Sequence, residues 1–385
     1  MKNQPHHDGS ELYVSNIAPE LGEKVTLKVR VPSDYVFEKA MLRIYHDGEP
    51  RIFEMKESKR DSTETWYQVN VEILNIQSYY RFAFIGKGKY EWLNAKGLFD
   101  HDVHSNNDFQ LVAFADNPEW IKSSVFYQIF PDRFARSGKV NIVPEWAHPR
   151  DWDLLPQGRG KYTGQELYGG DLYGVSEHLD HITNLGVNGI YFTPLFPARS
   201  NHRYDASSFE VIDPILGGDA AFQALIKTAK KKGIRILGDL TSNHCGAGHT
   251  WLAKAKKDKK SKERSYFYWD KSIEWGYIGW FGLESLPKLN FSSKALRKVM
   301  YEGKNSIVKK WISPKYGMAG WRIDVGNMTG RQGAENHHTE VMQGIRNAMA
   351  EVNPQTWLVA ENGDFDASDL NGLGWQGAMN YQGFM

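Results

Sequence analysis

Asp219-Ala-Ala-Phe-Gln-Ala-Leu-Ile-Lys-Thr-Ala-Lys-Lys-Lys-Gly233-Ile-Arg-Ile-Leu-Gly-Asp239 decides the fold class. Apolar Phe222, Leu225, Ile226 and Ala229 recur at helical spacing, and Gly233 is a stop signal. A short apolar strand follows at once from Ile234, and a carboxylate ends it. A helix, a glycine and a buried strand with a polar residue at its C-terminal end make the unit of a parallel α/β sheet.

The same alternation extends in both directions. Val125-Phe-Tyr-Gln-Ile-Phe reads as the first strand, followed by a helix near Val175–Leu185 and the strand Gly189-Ile-Tyr-Phe. Downstream come the strands Gly320-Trp-Arg-Ile, Trp357-Leu-Val-Ala and Gly377-Ala-Met-Asn-Tyr. Six such strands fit either a doubly wound sheet or part of a (β/α)8 TIM barrel. The stretch from Cys245 to Phe291 is too long for a strand-to-helix loop. It predicts a small subdomain, residues 245–291, inserted after strand 3.

Upstream the period changes from helical to alternating. Val25-Thr-Leu-Lys-Val-Arg-Val, Met41-Leu-Arg-Ile-Tyr, Trp66-Tyr-Gln-Val-Asn-Val and Tyr79-Tyr-Arg-Phe-Ala-Phe alternate apolar and polar residues, with turn residues such as His46-Asp-Gly-Glu-Pro between runs. This predicts an antiparallel, immunoglobulin-like β-sandwich over residues 1–117. The strand–helix region, doubly wound sheet or incomplete barrel, is then expected over 118–385, with a boundary at Asn117-Pro118.

Bulk properties exclude several classes. The chain has 385 residues, 41% hydrophobic, with a net charge of +1. That balance gives no general pull toward nucleic acid, and no partner of that kind is expected. The basic run from Lys254 to Lys262 reads as a solvated surface. A single cysteine, Cys245, forbids an intramolecular disulfide. No 18-residue apolar run and no export signal occur, so no membrane partner and a cytoplasmic location are expected. Thirteen Trp beside 19 Tyr and 19 Phe supply flat faces suited to sugar rings, although most such side chains sit in cores.

In parallel α/β folds, ligands meet the C-terminal ends of the strands. There the sequence places Asp239, Asn243 and His244 after strand 3, Arg322 and Asp324 on strand 4, and Glu361 after strand 5. A lone carboxylate at a strand end is often a helix cap. Arg322 and Asp324 lie two apart, however, and so face the same way. Three inward carboxylates are costly unless paired or used. A retaining glycosidase needs a nucleophilic carboxylate and a carboxylic acid about 5–5.5 Å apart. Strand spacing of about 4.8 Å makes that available from neighbouring strand ends. On this reading Arg322 keeps Asp324 ionised, and the apolar run before Glu361 raises its pKa and keeps it protonated. A metal-dependent hydrolase would need more histidine ligands than His244.

These residues carry a family resemblance. Gly238-Asp-Leu-Thr-Ser-Asn-His244, Gly320-Trp-Arg-Ile-Asp324 and Val359-Ala-Glu361-Asn resemble three ordered signatures of the α-amylase family. Leu286-Pro-Lys-Leu-Asn290 resembles the extra signature of its neopullulanase, cyclomaltodextrinase and maltogenic amylase branch. Phe126–Ser137, Arg150-Asp-Trp-Asp153, Tyr168-Gly-Gly-Asp-Leu172 and Ala378–Phe384 are most similar to bacterial maltodextrin glucosidases of that branch. The resemblance implies a barrel and a retaining hydrolase of α-1,4-glucans, acting on maltodextrin or cyclodextrin through a covalent glycosyl-enzyme. It implies Asp324 as nucleophile, Glu361 as acid/base and Arg322 beside the nucleophile, with His244 on the sugar hydroxyls. Asn201-His-Arg-Tyr-Asp205 resembles the segment whose tyrosine stacks on the sugar, so Tyr204 takes that role, with His202 and Asp205 at the substrate. Asp239 and Asn243 become supporting residues.

The resemblance also implies a starch-binding-like sandwich that packs across a second subunit, hence a homodimer. The fourth signature and its third carboxylate are missing, so the chain is expected to be part of a longer protein and weakly active as it stands. The alternative reading is a non-catalytic carbohydrate-binding form. The branch's calcium motif is degraded to Ala135-Arg-Ser-Gly-Lys, leaving Gly169 and Asp171, so no metal or other cofactor is expected.

Overall fold

The computed structural model describes residues 4–86, 88–114, 117–363 and 366–384. It divides into two compact units: Met1–Asp116 with Leu370–Leu373, and Asn117–Asp369 with Gly374–Met385.

The first unit is built from antiparallel strands: β1 (Lys24–Pro32), β2 (Lys39–His46), β3 (Glu49–Glu54), β4 (Lys56–Arg60), β5 (Glu64–Glu72), β6 (Gln77–Gly86), β7 (Lys89–Asn94), β8 (Gly97–Phe99) and β9 (Phe109–Val112). One sheet runs β1-β5-β4. The other runs β3-β2-β6-β7-β8, with β9 also paired to β6. Alternation puts Val25, Leu27, Val29 and Val31 of β1 inside, with Leu42 and Ile44 of β2 and Tyr80, Phe82 and Phe84 of β6. These side chains form one core, each aliphatic contributing about 1.5–3 kcal/mol relative to exposure. His7 is buried in the same unit: Nδ1 meets the Lys28 carbonyl at 2.7 Å and Nε2 the Tyr80 hydroxyl at 2.9 Å.

The second unit begins with β10 (Phe126–Ile129) and the short pair β11 (His148–Pro149) and β12 (Glu166–Leu167). Next come α1 (Leu172–Glu177), α2 (Leu179–Asn184), β13 (Gly189–Phe192), α3 (Gly218–Lys231) and β14 (Arg235–Leu240). Then follow α4 (Thr250–Lys257), α5 (Lys294–Arg297), α6 (Ile307–Ile312), β15 (Gly320–Ile323), the small hairpin β16 (Arg331–Gln332) and β17 (Glu335–Asn336), and α7 (His338–Val352). The unit closes with β18 (Trp357–Ala360), α8 (Asp366–Asp369), β19 (Gly377–Ala378) and α9 (Tyr381–Phe384).

The sheet order is β10-β13-β14-β15-β18-β19, parallel throughout. Spatial order follows chain order without reversal. A doubly wound sheet reverses at its switch point, so this order selects a barrel wall, here an arc of six strands.

Helix α3 buries Ala221, Phe222, Leu225 and Ala229. It gives way at Gly233, whose φ of +71° is the left-handed turn that favours glycine after a helix. A Cβ at Gly320 would lie 1.9 Å from the Trp357 carbonyl oxygen, so only glycine lets β15 run this close to β18. Between β14 and α5, isolated antiparallel bridges join Trp269 to Tyr277, Gly279 to Pro287 and His244 to Lys288. Lys254, Lys256 and Lys257 are exposed in the last turn of α4. No described helix is long and apolar enough to cross a membrane.

Candidate active site

Three neighbouring strands deliver the site. Asp239 lies at the end of β14 and pairs in register with Arg322 on β15. Asp324 follows β15, and Glu361 follows β18. The Arg322 guanidinium joins all three carboxylates. One terminal nitrogen is 3.0 Å from Asp239 Oδ2 and 2.9 Å from Asp324 Oδ1; the other is 2.9 Å from Glu361 Oε2. Its carbon sits 5.8 Å from the Tyr191 ring centre and 5.9 Å from that of Tyr204. The planar fork suits this multiple recognition better than an ammonium would.

Further donors complete the cluster. The Tyr191 and Tyr204 hydroxyls both donate to Asp239 Oδ2, the latter at 3.2 Å. The Tyr381 hydroxyl donates to Glu361 Oε1 at 2.7 Å. Val325 N–H donates to Glu361 Oε2 at 3.0 Å. Val325 achieves this with φ +48°, a left-handed conformation unusual for a β-branched residue and costing on the order of 1–3 kcal/mol. Directly after Asp324, the backbone is bent so that its amide serves Glu361.

His244 brings Nε2 to 3.9 Å from Asp324 Oδ2. Its Nδ1 lies 3.1 Å from the Asn243 amide nitrogen. Burial and then Lys288 push its pKa down to about 4, against a contribution from the Tyr204 backbone. The ring is therefore neutral at pH 7.

The charge distribution corrects one sequence expectation. Burial, then Asp239, push the Asp324 carboxyl well up, and Glu361 adds to this against the pull of Arg322. Burial raises Glu361 too, but Arg322, the Val325 amide and the Tyr381 hydroxyl outweigh it and hold Glu361 below the usual range. Burial lifts Asp239 to about 6, opposed by Arg322 and the two tyrosines. The sequence had suggested the reverse ordering for Asp324 and Glu361. One arginine shared among three carboxylates cannot hold Asp324 alone, and its fork reaches across to Glu361. That cross-strand pairing leaves no trace in the residues adjacent to Glu361.

The structure thus gathers Asp239, Asn243, His244, Arg322, Asp324, Glu361 and Tyr204. His202 lies against them, its ring stacked on Tyr204 at 5.8 Å and its Nδ1 accepting from Tyr204 N–H. Asp205 stays in its own loop, where its oxygens accept from Ser200 Oγ and from Arg199 N–H. Tyr191, Val325, Lys288 and Tyr381 were missed as site residues. For Tyr191 the signal was a hydroxyl inside an apolar barrel strand, where something must receive it.

The calcium segment can be tested on its own oxygens. Asp171 caps α1 by accepting from Gly174 N–H at 2.8 Å, and its other oxygen accepts from Ser137 N–H and Oγ. Asp132 accepts from the Tyr168 and Gly169 amides. These carboxylates are spent on protein donors and do not fit a cation that needs six to eight oxygens. Among the described residues, no group of three or more His, Cys, Asp or Glu is arranged to hold a metal.

Two carboxylates at neighbouring strand ends, bridged by one arginine and flanked by a neutral histidine, form a recognisable arrangement. Residues 128–366 match the model of the α-amylase catalytic domain. The chain belongs to the α-amylase family. Within this family it is similar to an intracellular maltogenic amylase of Bacillus subtilis, with 30% identity covering 88% of this chain and 56% of that one. It is 33% identical to a cyclomaltodextrinase of a Bacillus species, covering 69% of this chain and 45% of that one. A solved cyclomaltodextrinase structure superposes with a TM-score of 0.66 at 25% identity, covering 99% of this chain and 64% of that one. The chain spans about half the length of these two curated relatives.

Proposed function

We propose that this site hydrolyses α-1,4-glucosidic bonds in maltodextrins or cyclodextrins with retention of configuration. Asp324 is the nucleophile that forms the glycosyl-enzyme, and Glu361 protonates the leaving oxygen and then activates water. The observation that carries the reading is the pair Asp324 and Glu361 on adjacent strand ends, both held by Arg322. The names of the relatives, maltogenic amylase and cyclomaltodextrinase, support short linear or cyclic α-glucans as substrates. For Glu361 to donate, its bond to Arg322 must give way and its carboxyl must take up a proton. Substrate seated between Asp324 and Glu361 would separate them. Tyr204 stacks on the sugar being cleaved, and His244 and His202 hold its hydroxyls.

The same reading makes the antiparallel unit an immunoglobulin-like domain bounded near Asn117, residues 245–291 a subdomain of the barrel, and the protein an intracellular homodimer without a required metal. Light scattering giving a monomer at micromolar concentration would remove the dimer.

The mechanism is tested by proton NMR of maltotriose digestion. Retention predicts that the α-anomer of the new reducing end appears first. Early β-anomer, or binding of maltotriose without any cleavage by the gene product, would overturn the proposal.

A further inference from the structure

Lys288 is a lysine that the proposed chemistry does not use and the fold nevertheless buries, at 1% exposure. Its position is fixed by backbone pairing. His244 and Lys288 form an antiparallel bridge, Leu289 N–H donates to the Asn243 carbonyl at 3.1 Å, and Cys245 N–H donates to the Pro287 carbonyl at 3.1 Å. The side chain turns back over the end of β14. Its ammonium donates to Asn243 Oδ1 and, at 2.9 Å, to the Met328 carbonyl, and lies 5.3 Å from the Trp280 ring centre. Both oxygens it meets are neutral. Burial without a carboxylate pushes its pKa down to about 7. A buried cation in this setting is a cost that needs a purpose.

The donor and acceptor inventory of the three neighbours supplies one. Below pH 7 the Lys288 nitrogen is an ammonium, which only donates, so the end of the Asn243 amide that faces it must be the oxygen. That leaves the amide nitrogen facing His244 Nδ1 at 3.1 Å. The amide nitrogen also only donates, so Nδ1 must accept and cannot carry a proton. A neutral imidazole then holds its proton on Nε2, the nitrogen 3.9 Å from Asp324 Oδ2. Without Lys288, Asn243 could rotate its amide by half a turn and offer oxygen to Nδ1, moving the proton to the wrong side of the ring.

We infer that Lys288, acting through Asn243, is a positioning residue that fixes His244 as its Nε2–H tautomer, so that the ring presents a donor toward Asp324 and a sugar hydroxyl beside it. The tautomer stands independently of the reaction, while the sugar contact rests on the function proposed above.

The experiment is nitrogen-15 NMR of the imidazoles in the whole chain, with the His244 signals identified by their loss in His244→Gln. Wild type is expected to show the Nε2–H pattern. Lys288→Met should mix in or convert to the Nδ1–H pattern, while Lys288→Arg, which keeps the donors, should retain Nε2–H. Should Lys288→Met fail to fold, Asn243→Asp replaces it. A carboxylate facing Nδ1 has only acceptors, so that variant must draw the proton to Nδ1. A wild-type Nδ1–H pattern, an unchanged pattern in folded Lys288→Met, or an unchanged pattern in Asn243→Asp where Lys288→Met does not fold, overturns the inference. Maltotriose hydrolysis separates the two claims. Lys288→Met is expected to lower kcat/KM about tenfold, the scale of one lost hydrogen bond. Altered tautomer with unaltered kcat/KM would overturn the sugar contact. Wild-type protein that does not hydrolyse maltotriose would sink the proposed reaction and leave the tautomer assignment intact.

Discussion

His7 in the antiparallel unit and His244 at the end of β14 are both buried, and burial pushes the pKa of each down to about 4. Their partners differ. His7 satisfies both ring nitrogens, one on the Lys28 carbonyl and one on the Tyr80 hydroxyl. His244 pairs Nδ1 with the Asn243 amide and has the Tyr204 backbone beside the ring, while Nε2, 3.9 Å from an Asp324 oxygen, makes no well-aligned hydrogen bond among the described residues. The first histidine is part of a completed core; the second keeps one bond in reserve. An unpartnered nitrogen is not diagnostic by itself, since His249 Nε2 is also unpartnered while its ring packs on Phe209 and Trp251. The functional signal is the reserve nitrogen together with the charged group it faces.

The largest expected effect lies on the His244 side. If Asp324 is the nucleophile proposed above, Asp324→Asn should cut maltotriose turnover by about 10³-fold or more. Its melting temperature should stay level or rise, because a crowded buried charge is removed. A variant that retains turnover would break the contrast between the candidate site at the strand ends and the core of the antiparallel unit.

Acid tests what the histidines share. Their folded pKa values, about 4 for His7 and His244 and about 3 for His249, lie below the free value of 6.5. The unfolded chain therefore takes up protons first on acidification. The stability from keeping these rings neutral is complete above about pH 6.5 and is lost as pH falls toward 4, on the order of 3 kcal/mol for each ring. Because the raised carboxyls of Asp239 and Asp324 act in the opposite sense, the change in urea midpoint from pH 7 to pH 4.5 is compared between wild type and His7→Leu. An equal change in both would mean that the His7 ring is not kept neutral.

The difference between the two sites predicts the next effect. His7→Leu strands the Tyr80 hydroxyl and the Lys28 carbonyl and should cost about 1–3 kcal/mol at pH 7. His244→Gln should cost less stability while weakening maltotriose affinity, measured by calorimetric titration. If His244→Gln proves the more destabilising, the division into structural and reserved histidines fails. The smallest effect is expected at Tyr204→Phe, which keeps the ring and removes one donor from Asp239, worth about 0.5–1.5 kcal/mol in thermal unfolding.

The strands legible in sequence are those with a buried period. β1, β2, β5 and β6 alternate, and β10, β13, β14, β15 and β18 are short apolar runs. β4, Lys-Glu-Ser-Lys-Arg, is exposed along its whole length and carries no pattern to read. At the site, Arg322 and its carboxylates were legible because strand ends and two-residue alternation aim side chains. Glu361's pairing was not, since it depends on which strands are neighbours in space. Nor was the left-handed turn at Val325, where tertiary bonds override local preference, or the inward path of Lys288. Asp205 has a side chain suited to a substrate, but Ser200 and Arg199 claim it for loop structure.

Arg322 works as a gauge block between strands. A single rigid plane touches the ends of β14, β15 and β18 at once. In this resting arrangement the ends of Asp324 and Glu361 are held to opposite nitrogens of one guanidinium, so a single residue couples the positions of three strand ends. A point-like ammonium has no fixed width, so it could neutralise the same charges and still lose that coupling.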